Sequence, residues 1–118
     1  MANELNMADD GILRITISGD LGRSMVEPLR KDYQPFLDAS TVENPLNNLI
    51  FTENLGKISS DARKYLTNLN KSPKYGLVAY VNAPRRVRVL GKFILKATNR
   101  KNIKFFESEE QALEWLKS

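Results

Sequence analysis

Apolar and polar residues alternate over Ile12-Leu13-Arg14-Ile15-Thr16-Ile17, which puts Leu13, Ile15 and Ile17 on one face, the period of a half-buried strand. Asp9-Asp10-Gly11 ahead of it is turn chemistry, with a glycine able to take positive φ. A short strand from Glu4 to Ala8 is expected to pair back onto the first. Gly19-Asp20-Leu21-Gly22 breaks the alternation. Met25, Val26, Leu29, Tyr33, Phe36 and Leu37 then recur at three- and four-residue steps, which predicts a helix. Ser24 is its expected N-cap. Pro28 falls in the first turn, where a missing N–H costs little, and Pro35 is expected to kink or end the helix.

Asp38 to Asn48, with Pro45 and three asparagines, reads as a loop. Leu49-Ile50-Phe51-Thr52 is the next strand, Glu53 to Ile58 a polar turn, and Ser59-Ser60-Asp61 the start of a second helix with Ala62, Tyr65, Leu66 and Leu69 turned inward. That helix ends near Asn70, before Ser72-Pro73. Tyr75 to Val81 is a strand, after which Asn82 is the expected cap of a third helix with Pro84 in its first turn. Ile103-Lys104-Phe105-Phe106 is a short strand. Ser108-Glu109-Glu110-Gln111 has the form of a capping box for a last helix carrying Ala112, Leu113, Trp115 and Leu116. Strand and helix alternate to the end, so right-handed crossovers and a sheet with a parallel core follow. No repeat, linker or low-complexity tract interrupts residues 1–118, which read as a single α/β domain.

At 118 residues the chain suits one domain, able to bury about two-thirds of its unfolded surface. No run approaches the ~18 apolar residues of a membrane span, and Met1-Ala2-Asn3-Glu4 lacks a signal-peptide pattern, so a cytoplasmic location is expected. Cysteine and histidine are both absent. That removes thiol nucleophiles, disulfides, the usual zinc ligands and the most common general base. An enzyme would have to use carboxylates such as Asp20 or Asp61 with lysine or arginine, and no spacing pairs them. A non-enzymatic protein with no metal and no cofactor is expected.

The formal net charge of +4 is modest, but its distribution is uneven. From Pro84 to Lys104 there are eight basic residues and no acidic one. At ~100° per residue, Arg85, Arg88, Lys92, Lys96 and Arg100 fall on one side of the third helix, and Val87, Leu90, Phe93, Ile94 and Ala97 on the other. The stripe is either a solvated face or a docking surface for an acidic protein, an anionic amphipathic ligand or a membrane. Nucleic acid is disfavoured, because no aromatic residue in the stripe stacks bases. Ser59-Ser60-Asp61 is the other marked feature. A serine there caps the helix and Asp61 complements its dipole, while an exposed hydroxyl at Ser60 or Ser59 is a candidate phosphoacceptor.

Ile15-Thr16-Ile17-Ser18-Gly19-Asp20-Leu21, the segment Leu55 to Leu66, and Ile103 to Leu113 together resemble the STAS domain of anti-sigma-factor antagonists. The final helix with Trp115-Leu116 resembles its SpoIIAA-like subgroup. The resemblance implies a mixed, mostly parallel sheet of four to five strands with about four helices, and regulation without catalysis. It also implies docking of a protein partner, an anti-sigma-type kinase or another regulator, at the loop and N-terminus of the second helix. Lys57, Ser59, Ser60, Asp61 and Lys64 are the partner-binding residues so implied. The family often carries Asp-Ser-Ser/Thr-Gly here, with the hydroxyl before Gly phosphorylated. Aligning Ile58 with the preceding apolar residue puts Asp61 at that acceptor, and a one-residue slip puts Ser60 there instead. The subgroup's likeness to lipid-binding Sec14-type domains adds an apolar ligand or membrane surface as the alternative, through the basic third helix. The oligomeric state is not legible in the residues.

Overall fold

The computed structural model describes residues 3–118, with side chains from Glu4 onward. Met1 and Ala2, part of the segment read above for a leader pattern, lie outside the described residues. The element order is β1 (Asn3–Met7), β2 (Ile12–Ile17), β3 (Gly19–Leu21), α1 (Arg23–Asp38), β4 (Leu46–Phe51), β5 (Leu55–Ile58), α2 (Ser60–Leu69), β6 (Tyr75–Val81), α3 (Arg85–Thr98), β7 (Ile103–Phe106) and α4 (Glu109–Lys117). Five strands form one sheet in the order β1-β2-β4-β6-β7. β1 is antiparallel to β2, and the other neighbours are parallel. This is the α/β architecture expected above, a mixed and mostly parallel sheet with four helices among the described residues.

Each crossover from β2 to β7 moves one place in the same direction, and right-handed crossovers then put α1, α2 and α3 on one face. The side chains follow that geometry. Leu13, Ile15, Ile17, Ile50, Val78 and Tyr80 pack with residues of α1, α2 and α3. The alternate positions Ile12, Leu49, Ala79 and Val81 pack on the other face against Ala112 and Leu116 of α4. Strand period 2 thus supplies two cores from one sheet.

Two local expectations about α1 are corrected. Gly22, not Ser24, is the N-cap, and it makes no side-chain hydrogen bond. The helix also runs through Pro28 and Pro35 to Asp38. Its buried face, Val26, Leu29, Tyr33 and Leu37, continues past Pro35, whereas Pro35 itself is exposed. The lost hydrogen bond therefore falls on the wet side, where water satisfies the orphan carbonyl at small cost.

The β1–β2 turn is locked by Asp10. Its carboxylate accepts from the Ile12 amide at 3.0 Å and from both Arg14 terminal nitrogens at 2.7 and 2.9 Å, and Lys117 Nζ of α4 lies 3.6 Å away. The Arg14 hydrogen bond holds this carboxyl far below the ordinary carboxylate range. A pKa lowered in the folded state adds stability that is fully present above the unfolded value of about 4 and is lost progressively as pH falls from there through the lower, folded-state value. Asp10→Asn should therefore be less stable than the wild type at pH 7, with the gap closing below about pH 4 in denaturant titrations. A gap that persists unchanged at pH 2 would contradict this.

Candidate functional site

The segment read as a polar turn is a strand. β5 pairs in parallel with β3, Gly19 opposite Leu55 and Leu21 opposite Ile58, in a small ribbon that continues β2 and β4 beyond their carboxyl ends. Gly19 takes φ 76°, and its amide donates to Asn54 O at 3.0 Å. Asp20 Oδ1 accepts from the Lys57 amide at 2.8 Å, while Leu21 O accepts from the Ser59 amide at 2.9 Å. Gly56 makes room for this, because a Cβ there would collide with the Asp20 carboxylate. Leu21 and Leu55 are buried beneath. Asp20 therefore serves as a backbone acceptor that fixes the approach to α2.

α2 starts where the ribbon ends. Ser59 is the N-cap, and its Oγ accepts from the Ala62 amide at 3.1 Å. Asp61 lies in the first turn, where a carboxylate is favoured by the helix dipole, and its Oδ2 is 3.6 Å from Arg23 Nε. Both partners are exposed, so the pair contributes little stability. Lys57, Ser60, Asp61 and Lys64 are all exposed, and only Ser59, occupied by the cap, is half-buried. The five residues expected to meet a partner are thus gathered on one short surface.

α3 departs from its expected form in three ways. Its N-cap is Pro84, and Asn82 instead takes a left-handed φ of 52° in the turn before it. Its buried face is Val87, Leu90, Gly91 and Ile94. Phe93 lies roughly 110° from the centre of that arc. Phe93 is accordingly 59% exposed rather than turned inward, Ala97 is exposed as well, and Val89, one turn before Phe93, is 58% exposed. Arg100 lies beyond the helix end, so it is not on the stripe. Its guanidinium donates to the backbone carbonyls of Asn70, Ser72 and Tyr75. Arg85, Arg88, Lys92 and Lys96 remain as exposed cations on the helix.

The two sequence features meet in space. A groove of 1020 Å³ runs between them, walled by Lys57, Ile58, Ser60 and Arg63 on one side and by α3 with Pro84, Arg85, Arg86, Val89 and Phe93 on the other. Ile58, Arg63, Arg86 and Val89 were not among the candidate site residues named from the sequence. Val89 and Arg86 sit three residues apart on a helix, and their spacing to Phe93 was the available signal. Among the described residues no group of three or more acidic side chains could hold a metal ion. Burial raises the phenols of Tyr33, Tyr75 and Tyr80, the last to about 12, which keeps them neutral inside the core. No helix among the described residues is long and apolar enough to cross a membrane.

Solved structures place the architecture in a class. An uncharacterised protein of the DUF3478 family from Shewanella loihica, described as having a SpoIIAA-like fold, superposes with a TM-score of 0.73 at 21% identity, over 98% of this chain and 92% of that one. A putative anti-sigma factor antagonist from Thermotoga maritima gives 0.72 at 18% identity, over 98% and 95%. The anti-sigma factor antagonist SpoIIAA in its unphosphorylated form gives 0.70 at 16% identity, over 99% of both chains. The fold is SpoIIAA-like, that of STAS domains. By sequence, the chain belongs to the family described as domain of unknown function DUF7793, whose model matches residues 7–118. No curated protein matches it.

Proposed function

We propose that the protein is a non-enzymatic regulatory module that docks a protein partner at the β5–α2 junction. One observation carries the reading: the junction's backbone is pinned at Lys57, Ser59 and Ala62, while the side chains of Lys57, Ser60, Asp61 and Lys64 are left to solvent. A rigid backbone with exposed polar side chains lowers the ordering cost of binding. It also lies at the carboxyl ends of parallel strands, where α/β proteins place their sites. The likeness of fold to anti-sigma factor antagonists supports a regulatory protein-interaction module in general.

A Ser60→Arg/Lys64→Glu double variant should recover at least tenfold less of the partner from native lysate than the wild type, with an unchanged melting curve. Equal recovery would remove this surface from the account. Of the two serines, Ser59 commits its Oγ to the cap, which leaves exposed Ser60 as the hydroxyl open to a kinase. Phosphate there would add nearly two negative charges beside Asp61 and repel an acidic partner. Phosphopeptide mapping of protein from its host should find any junction phosphate on Ser60. Phosphate on Ser59 would contradict the assignment.

A further inference from the structure

We propose that the groove between the start of α2 and α3 receives an amphipathic helix of the partner whose flanks are acidic. The proposal rests on docking at the junction and names what docks. Val89 and Phe93, at i and i+4, project from a helix whose core face is already satisfied by Val87, Leu90, Gly91 and Ile94. They lie in the groove with half-buried Ile58 and Pro84 near them. Apolar side chains held in a trough beside a helix match the spacing at which a second helix offers apolar anchors, one per turn.

The charge around the trough specifies the flanks. Lys57 and Arg63 stand on one wall and Arg85 and Arg86 on the other, and no carboxylate lines the groove. Among the described residues none of the four is within salt-bridge distance of a carboxylate. Arg85 and Arg86 occupy the first turn of α3, where the helix dipole disfavours cations, so folding alone gives no reason for them there. An occupant with acidic flanks supplies the missing counter-charge on both walls at once. A flat bilayer would touch the rims of the groove, whereas a helix laid along it meets both walls. Val89 and Phe93 stay more than half exposed, so a small ligand between them would keep much of its surface in water, while a helix about 10 Å across is of a size to cover both.

The test places photoreactive p-benzoylphenylalanine at Phe93, and separately at Ser60, in the full chain and irradiates it in native lysate. Both positions should cross-link to the same protein, and the peptide joined at Phe93 should be net acidic with apolar residues at three- and four-residue spacing. Made synthetically, that peptide should bind the wild type and lose at least tenfold in affinity to Arg85→Glu/Arg86→Glu and to Val89→Ser/Phe93→Ser. A lipid adduct at Phe93, a basic or non-helical peptide, or an affinity indifferent to both pairs overturns the proposal. Protein cross-linked at Ser60 with none at Phe93 overturns the groove and leaves the junction standing. Silence at both positions overturns the two together.

Discussion

Arg100→Ala is expected to cost about 3 kcal/mol of stability, a fall of about 10 °C in melting temperature for a chain of this size. The guanidinium donates to Asn70 O at 2.7 Å, Tyr75 O at 2.8 Å and Ser72 O at 3.2 Å, so one cation closes the connection from α2 to β6. Buried Asn70 and Asn102 complete the latch. Asn102 Nδ2 donates to Asn70 Oδ1 and to Gly76 O, tying the start of β7 to the same loop. Removing Arg100 leaves three carbonyls short of a charged donor at once. Arg100→Lys should recover only part of the loss, because an ammonium lacks the planar fork that reaches three fixed acceptors. The latch lies at the amino ends of the parallel strands, away from the junction, so folded Arg100→Ala protein should bind the partner normally. A loss under 1 kcal/mol, or a selective loss of partner binding, would contradict the structural role given to Arg100.

Gly76→Val should be of comparable size, about 3 kcal/mol, from steric conflict in place of lost hydrogen bonds. β4 and β6 shift register between Leu46 and Asn48, and Gly76 faces that irregularity. There Asn47 folds its side chain into the gap and accepts from the Leu77 amide at 2.9 Å. A Cβ on Gly76 would meet Asn47 Oδ1, and it would stand 2.9 Å from the backbone oxygen of Leu46 and 3.2 Å from Pro45 Cβ. The backbone neighbour cannot rotate aside, so the strand pair itself must move. The same movement would disturb Asn48, whose side chain donates to Leu46 O at 3.0 Å and accepts from Tyr33 Oη at 2.6 Å inside the core. Denaturant midpoints of Gly76→Ala and Gly76→Val should fall progressively. A valine variant as stable as the wild type would show that the bulge is not closed by Asn47.

Most of the architecture was legible because long elements with strong periodicity carry their own signal. β6 and β7 lie where their apolar runs put them, and Ser59 and Ser108 cap α2 and α4 as their hydroxyls suggested. The β3–β5 ribbon was not legible. Its strands have three and four residues, two of them glycine, and each is defined only by a partner about 36 positions away. The course of α1 past Pro35 was hidden for a related reason, since part of the cost of a helical proline depends on whether its lost bond faces water, and which face is wet is set by packing.

At the site, the junction residues were legible from helix-start chemistry, and the cations of α3 from their bias. Their meeting was not, because it depends on α2 and α3 lying side by side on one face. The wheel drawn for α3 failed at Phe93 because Gly91 was not counted among the buried positions. A Cβ at Gly91 would press on the Phe105 ring, which shows how closely that side of the helix approaches β7. Close approach at Gly91 rotates the buried arc toward it and leaves Phe93 and Val89 facing α2. An apolar residue on a nominally inward position thus became part of a surface.

Docking at the β5–α2 junction and along α3 should be visible in hydrogen–deuterium exchange of the protein with and without the partner recovered through Ser60. Exchange should slow over Leu55 to Leu66 and the first two turns of α3, with α4 and the β1 edge unchanged. Protection centred on α4, on β1 or on the outer face of α1, with the β5–α2 junction exchanging as in the free protein, would contradict it.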